Sequence, residues 1–267
     1  MSDVSPNRVP TALTIAGSDS GGGAGVQADL KTFAAHRVYG MSAITAVTAQ
    51  NTLGVYAIHD VPPEVVTRQI ELVLDDIGAG AIKTGMLSSA ATVDSVANVL
   101  SRYCGIPLVV DPVMGSTSGS ALLNGDAIEA LRERLFPLAT IITPNIPEAE
   151  ALTGLHIDTP SGVRRAAEAL YIPGGPAILI KGGHFDAPTA TDWFFDGDHW
   201  REFSAPRIDT RNTHGTGCTY SAAIAARLAL GLPLAEAIAL AKQYVSGAIS
   251  RGLVLGHGHG PLDHGWT

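Results

Sequence analysis

Ala81-Ile82-Lys83-Thr84, then the segment Ser89 to Tyr103, then Leu108-Val109-Val110 is the stretch that decides the fold. Two apolar runs of strand length flank a segment of helical periodicity. Strands joined in this way lie parallel, because a parallel pair needs a crossover of a dozen or more residues. The unit repeats in both directions. Upstream stand strand candidates Ala12–Ala16 and Ala43–Ala49, with helices over Gly25–His36 and Pro63–Asp76. Downstream, Thr140–Thr143 and Ala177–Ile180 alternate with helices over Gly125–Phe136 and Ser161–Tyr171. Such alternation predicts an α/β fold, with a mostly parallel central sheet wound by right-handed crossovers and flanked by helices on both faces. Short, continuously apolar strands agree with burial on both sides. After Ile180 the pattern changes. Trp193-Phe194-Phe195-Asp196-Gly197-Asp198-His199-Trp200 predicts a hairpin with an Asp-Gly turn, an antiparallel edge on the sheet. Helices over Thr219–Leu230 and Pro233–Arg251 close the chain, each stopped by a glycine, Gly231 or Gly252. No linker, composition shift or internal repeat interrupts the series, which predicts one domain over residues 1–267.

Composition narrows the partners. The chain has 267 residues, 46% hydrophobic and 16% charged, enough to bury a large core. A net charge of −8 and a pI near 5.5 offer no electrostatic basis for binding nucleic acid or an anionic membrane. A small-molecule partner is expected instead. Cys104 and Cys218 lie far apart, and Met1–Pro10 lacks a basic n-region followed by an apolar h-region, so a reducing, cytoplasmic setting is expected. No apolar run reaches the ~18 residues that span a bilayer.

In a parallel sheet, ligands bind beyond the carboxyl ends of the strands. The residues that follow each strand are therefore the candidates. Strand one exits into Gly17-Ser18-Asp19-Ser20-Gly21-Gly22-Gly23-Ala24-Gly25, strand two into Gln50-Asn51-Thr52 and strand three into Gly85-Met86. Later exits are Asp111-Pro112-Val113-Met114-Gly115, Pro144-Asn145-Ile146-Pro147-Glu148 and Lys181-Gly182-Gly183-His184. The glycine loop at 17–25 fits neither specific nucleotide fingerprint: Val26 stands where the dinucleotide pattern needs Gly or Ala, and no Lys-Ser/Thr follows Gly22. It reads as a flexible loop that lets backbone approach a ligand or a lid pass over it. Asp29, one turn into the next helix, either faces that site or stabilises the helix start. Asp111 and the Asn145/Glu148 pair suit Mg²⁺, which takes oxygen ligands, keeps most of its waters and reaches nucleotide phosphates through one or two carboxylates. The alternative is that Asn145 caps the helix from Pro147 and Glu148 complements its dipole. Lys181 would offset phosphate charge or else lie along the surface. Gly256-His257-Gly258-His259-Gly260 lacks a second cluster with zinc-like spacing and reads as a polar tail.

Asn212-Thr213-His214-Gly215-Thr216-Gly217-Cys218-Thr219 runs into an Ala-rich helical segment. A helix N-terminus behind small residues offers free N–H groups to an anion. The same end lowers a cysteine pKa and so favours a Cys218 thiolate. An anion pocket beside a proton acceptor is what phosphoryl transfer to a hydroxyl uses. The alternative is a Gly-containing loop with an inert, buried cysteine.

Ala16-Gly17-Ser18-Asp19-Ser20-Gly21-Gly22-Gly23-Ala24-Gly25-Val26-Gln27-Ala28-Asp29, Ala49-Gln50-Asn51-Thr52, Lys83-Thr84-Gly85-Met86-Leu87, Asp111-Pro112-Val113-Met114, Thr143-Pro144-Asn145-Ile146-Pro147-Glu148-Ala149 and Thr213-His214-Gly215-Thr216-Gly217-Cys218-Thr219 together resemble the bacterial hydroxymethylpyrimidine/phosphomethylpyrimidine kinases of thiamin biosynthesis, in the ribokinase-like superfamily. The resemblance covers nearly the whole chain in order. It implies ATP-dependent phosphorylation of 4-amino-5-hydroxymethyl-2-methylpyrimidine, then of the monophosphate to the diphosphate. By the same resemblance Gly17, Asp29, Gln50, Met86 and Val113 surround the pyrimidine. Gly215, Thr216, Gly217 and Cys218 form the anion hole, and Cys218 is the candidate base where many superfamily sugar kinases carry Asp. Asp111 and Glu148 organise Mg²⁺, while Asn145, Lys181 and Lys242 approach ATP or product phosphates. Related enzymes are frequently dimers, so a homodimer is expected, with the hairpin at 191–206 as an edge contact. The chain departs from the family at Gly115-Ser116-Thr117-Ser118-Gly119-Ser120, where members commonly carry a Lys in a mobile cover. Pyridoxal kinases of the same superfamily are the runner-up, disfavoured by Gln50-Asn51-Thr52. A non-catalytic pyrimidine-binding domain is a third reading, against which the anion hole and both acids are retained.

Overall fold

In the computed structural model, which describes residues 9–115, 125–185 and 187–266, nine strands form one sheet in the order β3-β2-β1-β4-β5-β6-β7-β8-β9. The strands are β1 (Thr11–Asp19), β2 (Tyr39–Asn51), β3 (Gly54–Asp60), β4 (Ala81–Thr84), β5 (Leu108–Val110), β6 (Ile141–Ile142), β7 (Ala177–Ile180), β8 (Thr189–Phe195) and β9 (Trp200–Pro206). From β2 across to β7 every pairing is parallel. The antiparallel strands lie at both margins: β3 pairs with β2, β8 with β7, and β9 with β8. The helices are α1 (Gly25–Ala35), α2 (Pro63–Asp76), α3 (Ala90–Leu100), α4 (Gly125–Ala130), α5 (Ile146–Thr153), α6 (Pro160–Leu170), α7 (Thr216–Ala229) and α8 (Leu234–Ser250). Among the described residues, no helix is long and apolar enough to cross a membrane.

Strand alternation divides the core into two layers, because successive side chains point to opposite faces. Leu13, Ile15, Ile82, Val110, Ile142 and Ile178 pack on one side with residues of α2, α3, α5 and α6. Their chain neighbours Ala12, Ala81, Val109, Ile141 and Leu179 pack on the other with α1, α7 and α8. The expected helices on both faces are therefore present. Strand β1 has β2 on one side and β4 on the other, so the winding reverses there. That reversal opens a crevice at the carboxyl ends of β1 and β4, where such sheets take ligands.

Three elements differ from the sequence expectation. Strand β3 was not anticipated; its apolar run Val55-Tyr56-Ala57-Ile58 is short, and most of the strand is exposed, so it shows no one-sided burial. The helix expected over Gly125–Phe136 is regular only to Ala130, then widens into a π turn over Leu131–Leu135 and tightens into a 3₁₀ turn over Phe136–Leu138. Pro137, which lacks an N–H, sits in that last turn. Helix α7 begins at Thr216 rather than Thr219, which brings Gly217 and Cys218 into its first turn. The His-containing tail lies against the β2–β3 turn, where Thr52 Oγ1 accepts the N–H groups of His257 and Gly258, each at 3.2 Å.

Candidate active site

A cavity of about 840 Å³ lies at the carboxyl edge of the sheet and gathers residues from nearly every strand exit. Of the five residues expected around a pyrimidine, Gly17, Gln50, Met86 and Val113 line it. A Cβ on Gly17 would lie 3.3 Å from the Met86 sulfur and press on that side chain. Asp29 is a correction: it is wholly buried and does not line the cavity. Its carboxylate accepts the Thr14 hydroxyl at 2.6 Å and two contacts from Lys83 Nζ, at 2.8 and 3.0 Å. Burial raises the Asp29 carboxyl. Burial works against the Lys83 charge, but the surrounding acidic groups, Asp29 first among them, together outweigh it and hold Lys83 above its ordinary value. Asp29 thus supports Lys83, and Lys83 is the one that reaches the cavity. The sequence did not single out Lys83, because a lysine inside an apolar strand has no legible partner until α1 is folded against β4.

The second wall carries charge. Asp111 follows β5 and accepts Lys181 Nζ at 2.8 Å and the Ser221 hydroxyl at 3.1 Å. Burial pushes its carboxyl up, yet Lys181 and Lys83 outweigh burial and hold it below the ordinary range. Asn145 and Glu148 form a complete capping box on α5: Asn145 Oδ1 accepts the Glu148 N–H at 2.9 Å, and Glu148 Oε2 accepts the Asn145 N–H at 2.7 Å. The capping alternative is therefore correct, and both residues line the cavity as well. Glu148 Oε2 lies 3.9 Å from Lys181 Nζ. Burial, reinforced by Asp111, pushes the Glu148 carboxyl up to about 7 despite Lys181. Two buried carboxylates thus flank the Lys181 ammonium, with Lys83 acting on Asp111 from farther off, and their oxygens are the donor type a divalent cation takes. Lys242 lines the same cavity, but its Nζ is committed to Asp192 on β8 at 2.7 Å.

The third wall is the start of α7. Gly215 is its N-cap with φ of 83°, a left-handed conformation that suits glycine. Thr216 N–H turns back to the Thr213 carbonyl at 3.2 Å. The N–H groups of Gly215 and Gly217 have no hydrogen-bond partner among the described residues, and neither does that of Cys218. These three, with the positive end of the helix, are a ready anion site. For Cys218, half-buried and expected as a thiolate, the surroundings favour the thiol. Burial pushes the thiol up to about 11, and the opposing charge of Lys83 does not offset it. Helix-end stabilisation of a thiolate acts at about 1 kcal/mol, too weak against loss of water.

The first glycine loop also departs from its reading as a free, flexible loop. Asp19 turns inward and accepts the N–H groups of Gly21 at 2.8 Å, Gly23 at 3.0 Å and Ala24 at 2.9 Å. The loop amides are spent on its own carboxylate. His214 Nε2 meets the same carboxylate at 2.8 Å. Neither Asp19 nor His214 was singled out from sequence, although both stood inside quoted motifs; they lie 195 residues apart. Of the cover segment Gly115–Ser120, Gly115 lines the cavity and Ser116–Ser120 lie outside the described residues.

A parallel sheet with a crevice at its winding reversal, an anion site at a late helix N-terminus and a buried acid pair opposite it define a ribokinase-like kinase fold. The phosphomethylpyrimidine kinase family model matches residues 19–263, and the chain belongs to that family. It is 54% identical over 256 residues to the hydroxymethylpyrimidine/phosphomethylpyrimidine kinase of Rhizobium meliloti, covering 95% of this chain and 96% of that one. It is 52% identical to the thiamine biosynthesis bifunctional protein ThiED of Geobacter sulfurreducens over 95% of this chain, and spans about half, 52%, of that longer protein. Among solved structures, an ADP complex of Bacillus subtilis pyridoxal kinase superposes with a TM-score of 0.89 at 38% identity, covering 96% of this chain and 97% of the other.

Proposed function

We propose that this chain catalyses ATP-dependent phosphorylation of the hydroxymethyl oxygen of 4-amino-5-hydroxymethyl-2-methylpyrimidine and then of the resulting monophosphate, in thiamin biosynthesis. The observation that carries this reading is the convergence, on one cavity, of the free N–H groups of Gly215, Gly217 and Cys218 with Gln50 and Met86 on one side and Asp111, Glu148 and Lys181 on the other. Phosphoryl transfer asks a protein mainly for positioning and for neutralisation of charge. Gln50 orients a polar heterocycle edge, while Gly17, Met86 and Val113 give its faces apolar contact. The three amides receive the transferring group, where each donor aimed at developing charge is worth about 10²–10³-fold. Lys181 adds positive charge from the opposite wall. Asp111 and Glu148 would hold Mg²⁺, which would screen nucleotide phosphates and offset the charge of the acid pair. Cys218 contributes its backbone N–H to the anion site, and Cys218→Ala separates that contribution from a role of the thiol as base.

An ATP-coupled assay with hydroxymethylpyrimidine, followed by product mass to count phosphates, tests this. Mono- and diphosphate products are expected. Pyridoxal kinase is the second reading, favoured by the likeness to the Bacillus subtilis enzyme. Pyridoxal turned over with the higher kcat/KM would replace the first reading, and ligand binding without ADP formation would leave a binding domain.

A further inference from the structure

His214 stands immediately before the open anion site and touches both neighbouring walls of the cavity. Its Nε2 lies 2.8 Å from Asp19 Oδ2 and 3.4 Å from the Gln50 amide nitrogen. Asp19 and His214 are nearly buried, 3% and 8% exposed. His214 N–H also bonds the Gly260 carbonyl at 3.1 Å, which ties it to the C-terminal segment. Around this ring the two glycine loops meet by backbone. A Cβ on Gly23 would press on the His214 ring and stand 3.1 Å from Pro261 Cβ, and one on Gly215 would run into the Gly23 carbonyl. Among the described residues, the Asp19–His214 bond is a side-chain tie between the loops, beside the contact of the Gly25 N–H with the Cys218 thiol.

We propose that His214 is a positioning residue: anchored on Asp19, it fixes the chain that carries the Gly215, Gly217 and Cys218 amides and packs its ring against Gln50 on the recognition wall. This rests on the kinase reading of the cavity. Asp19 is a firm anchor, since it accepts three loop amides as well as His214. Burial pushes its carboxyl up, but the His214 bond and the Ala24 and Gly21 amides outweigh burial, so the carboxylate stays ionised. Nε2 gives its proton to Asp19, so its 3.4 Å approach to the Gln50 amide is a packing contact, and the Thr48 hydroxyl, 3.2 Å from Gln50 Oε1, has the closer Ser18 carbonyl as acceptor at 2.9 Å. One imidazole packs against the recognition wall while it anchors the phosphoryl wall.

The test is steady-state kinetics on the full chain, comparing parent, His214→Ala, His214→Asn, Asp19→Asn and the double variant Asp19→Asn/His214→Ala, with ligand-free melting to score folding. His214→Ala is expected to lower kcat about 10²-fold, the scale of a 1 Å misplacement. KM for hydroxymethylpyrimidine should rise and KM for ATP should stay within about twofold, because uniform binding of the nucleotide is untouched. His214→Asn, whose amide still donates, should recover part of kcat. The double variant should be no worse than the poorer single, as for residues acting as one unit. If His214→Ala fails to fold, His214→Asn and Asp19→Asn carry the same comparison. Parental kcat in a folded variant, or losses that multiply in the double, overturns the positioning role and leaves the kinase reading standing. A parent that phosphorylates neither hydroxymethylpyrimidine nor pyridoxal overturns the kinase reading, and this role with it.

Discussion

The loops at 17–25 and 213–218 are both glycine-rich, both lie at the carboxyl edge of the sheet and both lead into a helix, yet one is filled and the other is open. In the first, three amides close on the Asp19 carboxylate. In the second, three amides at the start of α7 belong to residues that line the cavity and have no hydrogen-bond partner among the described residues. Glycine content alone therefore does not make a phosphate site. What decides is whether the chain supplies its own anion, and the first loop does so through an aspartate that reaches its own amides.

Substitutions can break this contrast at graded cost. Gly215→Ala should have the largest effect: it puts a side chain in the left-handed region and against the Gly23 carbonyl, so kcat should fall about 10²–10³-fold, as when an oxyanion donor is removed. A folded Gly215→Ala enzyme with parental turnover would dissolve the distinction between the loops. Cys218→Ala keeps its N–H, and kcat should stay within about tenfold of the parent; a loss of about 10²–10⁴-fold would return Cys218 to the role of base. Glu148→Gln tests the acid wall. The folded carboxyl is raised to about 7, so Glu148 contributes stability that is present below the unfolded carboxyl pKa and lost as pH climbs through about 7. Melting temperature should therefore fall less across neutral pH in Glu148→Gln than in the parent. If Glu148 must ionise to help hold Mg²⁺, parental kcat/KM at limiting metal should rise over the same range, and that limb should vanish in the variant. The smallest effect belongs to Gly22→Ala in the filled loop, where φ is 77°. It should cost about 1–2 kcal/mol in a denaturant titration and leave kcat unchanged.

Much of this site was legible from sequence, for a local reason. Strand exits follow apolar runs, so Gln50, Met86, Asp111, Glu148, Lys181 and Gly215 could be placed on one rim before any coordinates. Asn145 and Glu148 are three residues apart, and the capping box they form was open to view as an alternative. Asp29 was misplaced, because one helical turn of sequence does not reveal whether a carboxylate faces a cavity or a lysine beneath it. For Cys218 only half of the balance was legible: a helix terminus can be read locally, whereas desolvation depends on everything packed around the sulfur.

The sequence by itself determined the parallel α/β architecture, the rim that carries the site and the helix start that offers its amides, because these depend on periodicity and short-range backbone geometry. Tertiary structure alone decided which charges meet: Asp29 with Lys83, Asp111 with Lys181, Asp192 with Lys242 and Asp19 with His214. Those pairs join residues 50 to 195 positions apart. Both their burial and the resulting ionisation depend on distance through space, which the order of residues along the chain does not encode.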